Sequence, residues 1–284
     1  MGIDNTAARM LLLLKATPGV SMRNALFYGH QKNYLGFFLR RKIAQEFRYD
    51  ISNLNGEYAD LFLEIIGASN FKVLDISDYE GASIIQDLNL PIPKSLENKF
   101  ETVVDIGTTE HIFNINQSFE NIRGLCKVGG KIMMLSPANS YLGHGFYQFS
   151  PELFFRAFDR EFGFEINSMY LIKQRFFHDK WYEITDPRNL NRRGTIFTRD
   201  RCYLGVISTK VSDISLSEFP QQSDYVTAWN ENKVSKLGKI YLSVPVALRK
   251  FLDLTIMSIL GRYRNRLKRA TFEWVNGDFR MRHD

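Results

Sequence analysis

The chain has 284 residues, 44% of them apolar, which suits one large domain, or one domain plus an appendage, with a sizeable buried core. The two cysteines, Cys126 and Cys202, are far apart, lie in apolar segments and fit no zinc spacing, which excludes a cysteine-rich zinc scaffold and points to buried free thiols in a reducing compartment. The net charge of +6 is uneven: Glu231 to Asp284 holds 12 Lys and Arg against 5 Asp and Glu, while the rest holds 25 against 26.

In chain order, the Leu11–Leu14 run is too short for a membrane span and Pro18-Gly19 follows it, so neither a transmembrane helix nor a signal peptide is expected. Met22–Tyr28 reads as a first strand, closed by Gly29. Asn33–Phe47 and Tyr58–Ile66 carry apolar residues at helical spacing, with Gly67 as a stop. Phe71–Ile76, Ser83–Gln86, Thr102–Ile106 and Lys131–Leu135 are four further strands. Asn116–Cys126 places Phe119, Ile122, Leu125 and Cys126 on one helix face, and Gly129-Gly130 turn the chain into the next strand. Ser150-Pro151-Glu152 opens another helix, with serine as N-cap and proline in the first turn. Glu165–Ile172 and Cys202–Thr209 are late strands, separated by a polar, irregular stretch from Phe176 to Arg201.

Alternating strands and helices predict an α/β protein: a Rossmann-like, doubly wound, mostly parallel sheet with an antiparallel edge strand. The expected organisation is a sheet domain over 1–210, a Ser-, Gln- and Asp-rich linker over 211–232, and a basic amphipathic extension over 233–284. In that extension Leu248, Phe251, Leu252, Ile256, Ile259 and Leu260 fall at helical spacing, and Arg262–Arg269 brings five positive charges and no acid. Such a helical C-terminal tail can lie on an anionic membrane, dock on a partner protein or pack on its own domain. No nucleic-acid motif accompanies the basic end.

The block FETVVDIGTTEHIFN, followed by a helix and CKVGGKIMMLSP, resembles the class I methyltransferases that use S-adenosylmethionine. SPELFFRAFDREFGFEI is similar to that superfamily's next helix and strand, and the likeness runs over roughly residues 20–210. The LDISDYEGASIIQDLN and HGFYQFSPELFF runs resemble a bacterial subfamily of methyltransferase-like proteins. The chain departs from the family at its glycine-rich loop, which here reads ALFYGHQKNY with the single glycine Gly29, and in having only DYEGA between its second and third strands. His30, Gln31 or Lys32 would then replace contacts that backbone amides usually provide.

The resemblance implies S-adenosylmethionine as cofactor, with Asp75 accepting both ribose hydroxyls and Asp87 facing the adenine amino group. Leu88, with Tyr79 or Ile76, would cover the ring. Asp75 can also be a turn cap, and Asp87 can equally form an Asx turn with Asn89. Asp105, Gly107 and Thr108 would border the methionine moiety, with Glu110 and His111 marking the site or capping the following helix. His144 stands between two glycines after the fifth strand, where an imidazole can take a proton from a substrate hydroxyl or hold the loop in shape. Tyr147, unless it packs as core, and Gln148 would shape the acceptor pocket; Arg192 and Arg193 can hold an anionic acceptor or sit on a solvated charged hairpin, the plainer reading. No histidine–cysteine–carboxylate cluster shows metal spacing along the sequence, and no required metal is expected.

The expected function is S-adenosylmethionine-dependent methyl transfer to oxygen of a small molecule or a surface-glycan sugar, by a cytoplasmic protein whose tail can reach a membrane or a partner protein. Two alternatives remain open: a non-catalytic binding module on the same fold, and an enzyme of another nucleotide. The absence of a dinucleotide fingerprint speaks against the last.

Overall fold

A computed structural model describes residues 2–175, 179–190, 196, 198–214 and 220–226, and the backbone of 269–275 and 278–283. The parallel part of the sheet is built from β2 (Ala25–Tyr28), β4 (Lys72–Asp75), β5 (Ile84–Ile85), β6 (Phe100–Ile106) and β7 (Cys126–Asn139), in the order β5-β4-β2-β6-β7. Their short apolar runs alternate between faces. Phe27, Val104 and Met133 point into one core, and Leu26, Val103, Ile132 and Met134 into the other. That is the pattern of a sheet covered on both sides.

The first core lies under α1 (Asn5–Ala16), α2 (Phe37–Phe47) and α3 (Asp60–Ile65), and the second under α4 (Ile115–Leu125) and α5 (Pro151–Ala157). Helix α1 is more than the apolar run visible in the sequence. The Asp4 side chain accepts the Thr6 and Ala7 amides at 2.9 Å, and Met10, Leu11, Leu12 and Leu14 are buried. It packs so closely that a Cβ on Gly205 would stand 2.7 Å from the Met10 sulfur. Ser150 caps α5, as its sequence predicts.

The helix expected from Asn33 begins only at Phe37. Lys32–Asn33 (β3) instead pairs with Gly2–Ile3 (β1), and the Asn33 amide group is held by the Leu54 and Gly56 carbonyls. The polar stretch after Phe176 is not irregular throughout. It contains β9 (Lys180–Glu183), which pairs with β8 (Phe164–Lys173) and buries Trp181.

The far side of the sheet is antiparallel, as expected, but the late strand β10 (Cys202–Lys210) is not the outermost one: it is inserted between β7 and β8. Outside β8 follow β9, β11 (Arg269–Val275) and β12 (Asp278–His283). The helix expected over 248–260 lies outside the described residues, as does most of the basic run after it; Arg269 opens β11, a strand the sequence reading did not anticipate. Both cysteines are buried free thiols. Among the described residues no helix is long and apolar enough to cross a membrane.

Candidate functional site

The sheet order reverses at β2: β4 and β5 lie on one side, and β6 and β7 on the other. In open α/β sheets the crevice for a ligand lies beyond the carboxyl ends of the strands at such a reversal. Here those ends carry Gly29 after β2, Asp75 ending β4 and Gly107 after β6. The Gly29 amide bonds the Leu74 carbonyl at 2.8 Å, and the Thr108 hydroxyl bonds the Tyr28 carbonyl at 3.2 Å, so all three strand ends are tied together.

On the β4 side, Gly29 has φ 71°, a turn that a side chain would strain. His30 does not face the crevice as a free donor. Its Nδ1 is 2.6 Å from the Glu80 carbonyl, its Nε2 is 2.9 Å from Asp60, and its ring stacks on Tyr58. It fastens the loop after β4 to the loop after β2. Gln31 is buried and donates to the Tyr28 and Gly29 carbonyls, bracing the same turn. Asp75 is half-buried at the strand end and takes the Ile76 amide on one oxygen. Asp87 accepts the Asn89 amide and side chain, which hold its carboxyl below the usual range: the Asx turn is formed. Leu88 is buried in the second core, whereas Tyr79 is 90% exposed and covers nothing in this structure.

On the β6 side, fully buried Asp105 does not reach into the crevice. It accepts the Thr108 amide at 2.8 Å and the Thr109 amide at 3.3 Å, and so folds the turn from β6 into the short helix Thr109–His111. That turn swings Glu110 inward. Glu110 is wholly buried, and among the described residues neither carboxylate oxygen has a hydrogen-bond partner. Burial first, and the charge of Asp105 second, push its carboxyl up to about 8. Gly107 has φ 79°, and a Cβ there would stand 3.2 Å from the Glu110 carboxylate.

The loop after β7 closes on this corner. The Phe146 and Tyr147 amides donate to the Glu110 carbonyl at 2.8 and 3.3 Å. A Cβ on Gly145 would come within 2.9 Å of that same oxygen, so the glycine permits the close approach. His144 is thereby placed with Nε2 3.7 Å from a Glu110 oxygen and its ring 5.1 Å from that of His111. Burial, and then neighbouring His144, lower the His111 imidazole. Tyr147 donates its hydroxyl to the Phe113 carbonyl, and Gln148 takes the Tyr141 amide, so both shape this loop. Phe113 and Phe146, 73% and 64% exposed, meet edge to face at the rim. Arg192 and Arg193 lie outside the described residues.

The sequence-predicted residues thus fall into two groups. Glu110, His111, His144 and Gly107 converge on one corner, and Gly29, His30 and Asp75 flank the other. Phe113 and the bracing roles of Gln31 and Gly145 were not foreseen. Gly145 was legible as a glycine beside a histidine, but Glu110 as its neighbour was not.

No protein-family model matches the chain, and no curated protein matches it. Solved structures with which it shares a likeness include 1,6-didemethyltoxoflavin N1-methyltransferase of Burkholderia thailandensis, bound to 1,6-didemethyltoxoflavin and S-adenosylhomocysteine (13% identity, 73% of this chain and 80% of that one, TM-score 0.41). Two others are the cyclase SpnF (14%, 72% and 80%, 0.42) and an S-adenosylmethionine-dependent methyltransferase of Mesorhizobium loti (15%, 72% and 98%, 0.38).

Proposed function

We propose that this chain is an S-adenosylmethionine-dependent methyltransferase that methylates an oxygen of a small molecule or a surface-glycan sugar. The reading rests on this chain's own strand ends. The observation that carries it is the strand-end reversal at β2, with Gly29 and Asp75 on one flank and the Glu110–His111–His144 corner on the other. Asp75, whose second oxygen has no partner among the described contacts, takes the ribose hydroxyls; Gly29 and Gly107 let backbone approach the ligand. Asp105 acts indirectly, through the turn it caps. The cofactor supplies an electrophilic methyl group. What remains for the protein is to align the acceptor in line with it and to remove the hydroxyl proton. His144, half-exposed beside the crevice corner, takes that proton, while the methyl passes to the oxygen and S-adenosylhomocysteine leaves. The Phe113–Phe146 pair offers an apolar edge for the acceptor. The protein works in the cytoplasm; β11 and β12 join the chain's own sheet, and the basic run 262–268 ahead of them meets a membrane, a partner protein or the chain's own domain.

A second reading, a binding module without chemistry, is favoured by one observation: His30, bonded to Glu80 and Asp60 and stacked on Tyr58, draws the loop after β4 across the flank where a cofactor would lie. Calorimetric titration with S-adenosylmethionine and S-adenosylhomocysteine decides between them. Micromolar binding is expected, with Asp75→Ala weakening it by about tenfold or more, as loss of a hydrogen bond to a charged group costs about 1.5–3 kcal/mol. His144→Ala is expected to keep cofactor affinity and lose about 10²–10⁴ in turnover. Absence of binding by folded protein at millimolar ligand would favour the module.

A further inference from the structure

We propose that Glu110, His111 and His144 form a binding site for a divalent first-row transition-metal ion. Their ligand atoms, one carboxylate oxygen and two imidazole nitrogens, all lie within 4.8 Å of one another. Around an ion with bonds of about 2.0–2.2 Å such atoms stand roughly 3–4 Å apart, so closure needs about 1 Å of side-chain movement. The imidazoles have that freedom: both His111 and His144 are exposed. The carboxylate does not need to move toward anything else, because both its oxygens are buried and, among the described residues, without hydrogen-bond partners.

A buried carboxylate with no partner is costly. A cation supplies what its surroundings lack, and the backbone is built to hold the acid there. Gly107 and Gly145 pack their backbones where a Cβ would crowd the Glu110 side chain or its carbonyl, and the Phe146 and Tyr147 amides clamp that carbonyl. The other buried carboxylates differ. Asp105 is taken up by the Thr108 and Thr109 amides, and Asp159 by Arg156 and Arg188.

Two imidazoles and one carboxylate suit zinc, iron, manganese or cobalt better than magnesium, which prefers oxygen ligands. Three protein ligands with the histidine side open to solvent leave positions for water or an acceptor oxygen, as in sites that act on substrates. Binding of the ion stands on the three side chains alone. Its use rests on the methyl-transfer reading: the ion would draw the acceptor hydroxyl to the corner and ease loss of its proton, which would pass to solvent water, because His144 as a ligand would no longer serve as the base.

The test uses the whole chain, stripped with chelator and titrated with cobalt(II) followed by visible absorption and with zinc(II) by calorimetry. One ion per chain at micromolar or tighter affinity is expected. Glu110→Gln keeps the shape of the side chain and is expected to weaken binding at least tenfold, since even residues behind the ligands cost about 10–100-fold. His111→Asn and His144→Asn are expected to do the same and to shift the cobalt bands. No saturable binding by the folded chain, or equal binding by Glu110→Gln, overturns the site and leaves a buried neutral acid beside two histidines. Cobalt binding without S-adenosylmethionine binding keeps the metal site and removes the methyltransferase reading; the reverse result does the opposite.

Discussion

Asp159 and Glu110 are both buried acids, and they differ in what surrounds them. Asp159 caps the turn Arg160–Phe162 with one oxygen and meets Arg156 at 3.0 Å and Arg188 with the other; both arginines also bind Asp186. Each charge there is matched, and the cluster joins the end of α5 to the segment after β9. Glu110 has two histidines for neighbours and no matched charge. A buried charge that is fully partnered holds the fold together. A buried acid packed without a partner asks for something the described residues do not supply.

The largest loss is expected at the partnered end. Arg156→Ala leaves Asp159 and Asp186 with Arg188 alone, and is expected to cost about 3 kcal/mol of unfolding free energy, near the lower end of the roughly 3–5 kcal/mol for breaking a buried pair. Denaturant titration measures it, and a loss near zero would show that Arg188 suffices.

At the other end, the linkage has a definite sign. With chelator present, folded Glu110, pushed up to about 8, keeps a proton that the unfolded chain releases near the ordinary 4.5. Its contribution to stability is therefore whole below about pH 4.5 and lost as pH rises toward 8. Glu110→Gln should flatten that fall, each pH unit between the two values weighing at most about 1.4 kcal/mol. A slope unchanged by the substitution would mean that the acid finds a partner in solution.

A smaller effect tests the packing of the corner. Gly145→Ala places a methyl group 2.9 Å from the Glu110 carbonyl, and about 1–3 kcal/mol of destabilisation is expected, as for other overpacked sites. If His144 is held by this contact, the variant also loses metal affinity. The smallest response belongs to the thiols. Burial pushes Cys126 up to about 12 and also raises Cys202, so neither should react with a thiol reagent at neutral pH until the chain unfolds.

Much of the fold was legible because it rests on local patterns. The strands ending at Tyr28, Asp75 and Ile106 are short apolar runs closed by turns, and Ser150-Pro151 is a helix start by chemistry alone. Misreadings came where distant contacts override local preference. Asn33 looks helical until the Leu54 and Gly56 carbonyls hold its side chain. Trp181 lies in a polar stretch, yet its backbone pairs with Ile172. The Leu11–Leu14 run says only that something is buried there; Asp4 as a cap makes it a helix.

At the candidate site, the strand ends, the turn glycines and an acid and two histidines near them can be read along the chain, because turns and caps depend on neighbours in it. What those groups are to one another depends on contacts between distant segments. His30 and His144 both follow a strand and both neighbour a glycine, yet one is bound on both nitrogens and the other faces a bare carboxylate. Residues 110 and 144 meet only because β6 and β7 lie side by side in parallel, which brings their carboxyl ends, and the loops beyond them, to one edge of the sheet. Such a meeting has no spacing along the chain by which it could be read.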